Sequence, residues 1–156
     1  MSAPVIEFED ASFTYAGADE ASVHKVSLTV EAGECVVLCG RSGCGKTTLT
    51  RLANGLAGGF WEGRRAGAVR VEGRNVDELE EWRLAEHIGS VFQNPRTQFF
   101  NVDTTGEVAF ALESAGWPEE AIRARVGATL RELGLEHLAG RSIFDLSGGQ
   151  RQKIAY

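Results

Sequence analysis

"CGRSGCGKTTLT", residues 39–50, places Gly40, Gly43 and Gly45, then Lys46, Thr47 and Thr48, directly behind the apolar run "CVVL" at 35–38. Glycine loses more backbone freedom on folding than any other residue, so a cluster between two apolar stretches needs a reason. Close approach of the main chain to an anion supplies one. The spacing Gly40-x-x-x-x-Gly45-Lys46-Thr47 is the complete phosphate-binding-loop pattern, with Arg41, Ser42, Gly43 and Cys44 at the variable positions. In such a loop, successive backbone N–H groups wrap phosphates while the following helix points its positive end at them. Lys46 would reach the outer phosphates as a point charge, and the Thr47 hydroxyl would bind Mg²⁺. The flanks fit. "CVVLC" (35–39) reads as a strand buried on both faces, and "KTTLTRLANGL" carries Leu49, Leu52, Ala53 and Leu56 at helical spacing. The sequence therefore predicts a nucleoside triphosphate site.

The rest of the composition limits what else the chain can be. Its 156 residues are enough for one domain with a real core. Acidic residues outnumber Lys and Arg by 22 to 16, a net charge of −6 that argues against a general nucleic-acid or membrane-surface binder. The basic residues gather around the glycine loop: Arg41, Lys46, Arg51, Arg64, Arg65, Arg70 and Arg74 face only Glu62 and Glu72 over residues 41–74. That suits a phosphate ligand or a solvated face. Cys35, Cys39 and Cys44 have no histidine nearby in sequence and fall short of a four-ligand zinc site, so reduced thiols are the simpler reading, with Cys35 and Cys39 on one face of the "CVVLC" strand. The N-terminus lacks a signal peptide's basic and apolar regions, and no apolar run approaches a membrane span, so the reading is a cytoplasmic chain.

Along the chain, "VIEFEDASFTY" and "VSLTV" (26–30) alternate as strands, "GGFWEGRRAG" (58–67) reads as a loop, and "AVRVEG" (68–73) as a short strand. "VDELEEWRLAEH" suggests a helix and "IGSVFQ" (88–93) a further strand. Beyond Asn94, "GEVAFALESAG" and "PEEAIRARVGATLRELG" are helical, the second with Pro118 at its first turn and Gly134 past its end. The division expected is a β-rich nucleotide-binding core over 1–94, a helical subdomain over 95–146, and the start of another helix at 147–156.

That last helix opens on "LSGGQRQK" (146–153), where Ser147 is a good N-cap and two glycines expose backbone N–H groups. A Leu-Ser-Gly-Gly-Gln stretch roughly a hundred residues after a P-loop resembles the ATP-binding subunits of ABC transporters. The resemblance implies a P-loop NTPase fold of α/β class. It implies that Ser147, Gly148, Gly149 and Gln150 meet the γ-phosphate of ATP held by a second, facing ATPase domain. It implies that Gln93 is the Q-loop glutamine, near Mg²⁺ and the attacking water and coupled to a transmembrane partner. It also implies that Tyr15, in "FTY", stacks on adenine. More narrowly, "VFQNPRTQFFNVDTTGEVAFALE", with Gln93, Asn94, Pro95 and Gln98, looks like the energy-coupling-factor importer ATPases, which serve vitamin and metal-ion uptake.

The chain departs from that family in one respect. ABC ATPases continue past the signature helix to an acidic strand that holds Mg²⁺ and polarises water, and then to a switch histidine. Here Tyr156 lies inside the signature helix, while His24, His87 and His137 all precede it and Asp145 is no strand-end carboxylate. The expectation is a C-terminally truncated chain carrying the binding half of the chemistry and inactive as it stands. The competing readings are a soluble non-transport ABC ATPase, which the acidic charge disfavours, and a nucleotide-binding module without turnover.

Overall fold

In the computed structural model, which describes residues 4–94 and 97–156, the chain packs as two units, Met1–Gly89 and Ser90–Tyr156. The first is built on a four-stranded antiparallel sheet in the order β2-β1-β3-β4, from β1 (Ile6–Tyr15), β2 (Val23–Val30), β3 (Gly63–Val71) and β4 (Arg74–Asn75). Strict alternation along β1 would send Phe8 and Ala11 to opposite faces. A bulge between them, where Asp10 takes φ +47°, inserts the extra residue that lets Phe8, Ala11 and Phe13 all bury. The partner strand answers with Gly67, at φ +78°, where a Cβ would lie 2.3 Å from the Asp10 carbonyl oxygen. β3 thus starts five residues before the short strand expected at 68. The glycine that made 63–67 read as a loop is the residue that accommodates the bulge.

Helix α1 (Lys46–Ala53) lays Leu49, Leu52 and Ala53 into the core formed with Phe8, Phe13, Val23, Val69 and Val71. A 3₁₀ turn (Val76–Glu78) and a short helix α2 (Glu81–Leu84) add Val76 and Leu84 to the same core. Arg65 ties these pieces together. It donates to the carbonyls of Ala57 and Gly55 and pairs with Asp77, and burial lowers its guanidinium pKa from the ordinary value. Arg70, between Glu9 and Glu7 across the β1–β3 pair, has its pKa raised by hydrogen bonds to both carboxylates.

Two expected strands are not formed. Residues 35–39 and 88–93 have no ladder partner among the described residues, and Val37 and Val91 are 74% and 51% exposed. A strand buried on both faces needs hydrogen-bonded neighbours at its edges and layers above and below. The described sheet ends at β2 and β4, and neither segment pairs with it. Cys35 and Cys39 are accordingly exposed and not on a buried face.

The second unit is helical: α3 (Thr104–Ser114), α4 (Glu119–Glu132), 3₁₀ turns at Glu136–Leu138 and Ile143–Asp145, and α5 (Gly148–Ala155). Asp103 caps α3 by accepting from Thr105 and Gly106 N–H, Pro118 stands at the N-cap of α4, and Gly134 takes φ +65° just beyond it. Val126, Leu130, Leu138, Leu146 and Ile154 form its core around Ala109.

Candidate nucleotide-binding site

The loop between residue 40 and α1 has the conformation its glycines permit: Gly40, Gly43 and Gly45 have φ of +154°, +81° and +91°. Gly45 is also the N-cap of α1, and no side chain caps that end. The first turn of α1 contains no acidic residue, so its orphan N–H groups and positive dipole end face the loop unneutralised. Lys46 folds over the same loop. Its Nζ donates to the Gly40 carbonyl at 2.8 Å and to the Arg41 carbonyl at 2.7 Å, and lies 3.6 Å from the Cys44 Sγ. The ammonium is thus held at the mouth of a ring of main chain. Arg41, Ser42 and Gly43 around it are exposed.

The two threonines that follow have separate environments. Thr47 is exposed, whereas Thr48 is buried. Thr48 Oγ1 is 3.1 Å from the Tyr15 hydroxyl, which also accepts from Arg51 Nη1 at 3.0 Å. Tyr15 is therefore brought to the phosphate-loop helix, with its ring edge-on to Phe13 and Trp61 at 4.8 and 6.4 Å between centroids. Arg51 stacks its guanidinium 4.4 Å from the centre of the Trp61 ring. The sequence pointed to Tyr15 as an aromatic face and gave no sign of this polar anchorage. Trp61 is an addition from the structure, and Arg51, read in the sequence only as one of the basic residues around the loop, gains specific partners in Tyr15 and Trp61.

On its other side the loop borders a cleft of about 540 Å³ lined by Ser22, Val23, His24, Leu38, Cys44 and Lys46 among others. Gly45 is pressed against that wall: a Cβ there would meet the Ser22 carbonyl oxygen at 2.3 Å.

Gln93 and the signature residues belong to the second unit. Gln93 sits exposed at a bend, not at a strand end, because the strand expected before it is absent. Asn94 follows it, and Pro95 lies outside the described residues. Ser147 and Gln150 form a reciprocal capping box. The Ser147 Oγ accepts from Gln150 N–H at 3.3 Å, and the Gln150 Oε1 accepts from Ser147 N–H at 2.9 Å. Gly148 and Gly149 between them are exposed, so this helix end presents bare backbone.

A main-chain ring holding a lysine ammonium, followed by an uncapped helix start, defines a P-loop nucleotide-binding protein. The family model described as ABC transporter matches residues 23–156, and the chain belongs to the ABC transporter family. It is 47% identical over 152 residues to a protein of Treponema denticola described as an ABC transporter ATP-binding protein, covering 97% of this chain and 31% of that one. It is 36% identical over 151 residues to the energy-coupling factor transporter ATP-binding protein EcfA1 of Ligilactobacillus salivarius, covering 97% of this chain and 52% of that one. Among solved structures it is similar to cbiO1 from Clostridium perfringens, part of the ABC transporter complex cbiONQ. The TM-score there is 0.83 at 27% identity, over 98% of this chain and 59% of that one. The α/β fold with an antiparallel sheet and packed helices is thus that of an ABC ATPase, and the chain spans 31%, 52% and 59% of the length of these three proteins.

Proposed function

We propose that this chain is the ATP-binding portion of an ABC importer ATPase whose whole form couples ATP binding and hydrolysis to uptake of a small nutrient, a vitamin or a metal ion. The observation that carries the reading is Lys46, held by the Gly40 and Arg41 carbonyls at the open start of α1. The N–H groups of residues 43–48 would cradle the phosphates, and Lys46 would exchange its loop carbonyls for phosphate oxygens. The exposed Thr47 hydroxyl fits Mg²⁺; the cation, when bound, neutralises charge on the outer phosphates. Tyr15 would pack on the adenine, and the bare backbone of Ser147, Gly148, Gly149 and Gln150 would serve ATP bound to a facing ATPase domain.

The importer assignment is supported by the names EcfA1 and cbiO1 among the similar proteins. A transmembrane subunit is then the expected partner, with the ATPase peripheral to the cytoplasmic side of the membrane and no role for nucleic acid. Among the described residues no helix is long and apolar enough to cross a membrane. Functionally, we assign residues 1–94 to nucleotide binding, 95–146 to the helical subdomain and 147–156 to the start of the signature helix. Within the 156 residues no carboxylate follows Ser147, so the isolated chain should bind MgATP and release phosphate no faster than its Lys46→Ala variant.

Calorimetric titration of MgATP into the monomeric chain tests the reading. Lys46→Ala should weaken binding by about 30-fold or more, the loss of charge-assisted hydrogen bonds to phosphate. Ser147→Arg should leave affinity within about twofold, because in this reading the signature serves another chain's nucleotide. Equal losses in a proven monomer would overturn it.

A further inference from the structure

The side-chain amide of Gln98 joins two segments that the proposed function uses separately. Its Oε1 accepts from Phe92 N–H at 3.0 Å, and its Nε2 donates to the Ser90 carbonyl at 3.2 Å and to the Ala155 carbonyl at 3.4 Å. A primary amide offers an acceptor oxygen and two donor hydrogens, and Gln98 uses all three. The partners fix its orientation, since an N–H needs the oxygen and two carbonyls need the nitrogen. Ser90 and Phe92 lead directly into Gln93, and Ala155 closes α5, the helix whose start is the Ser147 capping box.

Residues 88–93 belong to no strand among the described residues, so the Ser90 and Phe92 groups meet a side chain where a ladder would have held them. The Ala155 carbonyl is one of the last four of α5, which an α-helix leaves without an intrahelical partner. Gln98 is half-buried, and its bonds to the Ser90 and Ala155 carbonyls are partly shielded from competing water, whereas the bond from Phe92 N–H is exposed.

Resting on the functional reading above, we propose that Gln98 is a positioning residue that transmits displacement between the Gln93 segment and the signature helix. The connection is short: one amide group and a helix of eight residues, from Ala155 back to the capping box. Glutamine is required because glutamate could accept from Phe92 N–H but would donate to neither carbonyl.

Residue-resolved amide exchange on the whole chain tests this without ATP hydrolysis. Gln98→Met should speed exchange at Phe92 N–H, whereas Gln98→Glu should keep that amide protected. With Gln98 present, Ser147→Ala, which breaks the far end of α5, should speed Phe92 exchange by about fivefold, the low end of measured couplings between sites. In the Gln98→Met and Gln98→Glu backgrounds Ser147→Ala should have no effect at Phe92. A purely structural amide would not produce that dependence. If Gln98→Met loses the second unit's core, read from the Leu130 and Leu138 amides, the Gln98→Glu pair decides alone. Transmission that persists in Gln98→Glu, or is absent with Gln98 in place, overturns the proposal. MgATP affinity of Lys46→Ala is measured in parallel: an unchanged affinity would sink the functional reading and leave the amide link standing.

Discussion

Gly45→Ala should damage the phosphate loop more than Gly43→Ala, although both glycines sit in the same pattern with similar φ. At Gly43, φ +81° with nothing within 4 Å of an added Cβ, alanine suffers only the left-handed backbone penalty, about 1–2 kcal/mol. At Gly45, φ +91°, the same penalty applies and the Cβ also lands 2.3 Å from the Ser22 carbonyl oxygen and 3.3 Å from the Val23 Cγ2. Ser22 cannot simply retreat, because its N–H is bonded to the Phe13 carbonyl at 2.8 Å and Val23 is buried in the core. Nor can Gly45 move freely, since its carbonyl accepts from Leu49 N–H at 2.8 Å in the first turn of α1. Overpacking adds about 1–3 kcal/mol, for a total of about 2–5 kcal/mol. Urea unfolding followed by tryptophan fluorescence in a Trp117→Phe background reads the first unit through Trp61 and Trp82. With an m-value of roughly 1–2 kcal/mol/M, Gly45→Ala should unfold about 1 M urea or more below Gly43→Ala. Equal midpoints would show that the approach of Ser22 to the loop is not a constraint on this fold.

Tyr15→Phe removes the bonds to Thr48 and Arg51 but keeps the ring, so it should cost about 1 kcal/mol in stability and leave MgATP affinity within about twofold; a large loss of affinity would mean that the hydroxyl, not the ring, matters to the nucleotide. Arg65→Ala strips the Ala57 and Gly55 carbonyls and Asp77 of their shared partner and should cost about 2–4 kcal/mol in the same urea assay, with a shift under about 0.5 kcal/mol refuting its role as a clamp. All three cysteines are exposed, so all should label with a maleimide, but saturating MgATP should slow only Cys44, whose Sγ lies 3.6 Å from the Lys46 Nζ; uniform protection by mass spectrometry, or none, would place the phosphates elsewhere.

The parts of this molecule that could be read from its sequence are those whose determinants lie close together along the chain. The P-loop is written in eight consecutive residues, each acting through its immediate neighbours, and Lys46 reaches carbonyls only five and six residues away. Helix α4 was legible for the same reason, from Pro118 at one end and Gly134 at the other. The strands expected at 35–39 and 88–93 failed because an apolar run states that a segment could be buried, whereas a strand exists only where another segment supplies its hydrogen bonds. Gly67 misled in the opposite direction, since its meaning depends on the Asp10 bulge across the sheet.

Gln98 shows why the candidate site was harder to read than the loop. Its partners stand 6, 8 and 57 residues away, and no local pattern joins them. The resemblance marked Gln98 as part of a motif without giving it a task. The residues that touch phosphate can be recognised from local chemistry, because binding one anion needs only a few adjacent donors. Residues that would make one segment respond to another must contact both, and those contacts are set by the fold. In this chain that difference separates Lys46, legible from the sequence, from Gln98, whose three hydrogen bonds exist only once α5 has packed beside the segment leading to Gln93.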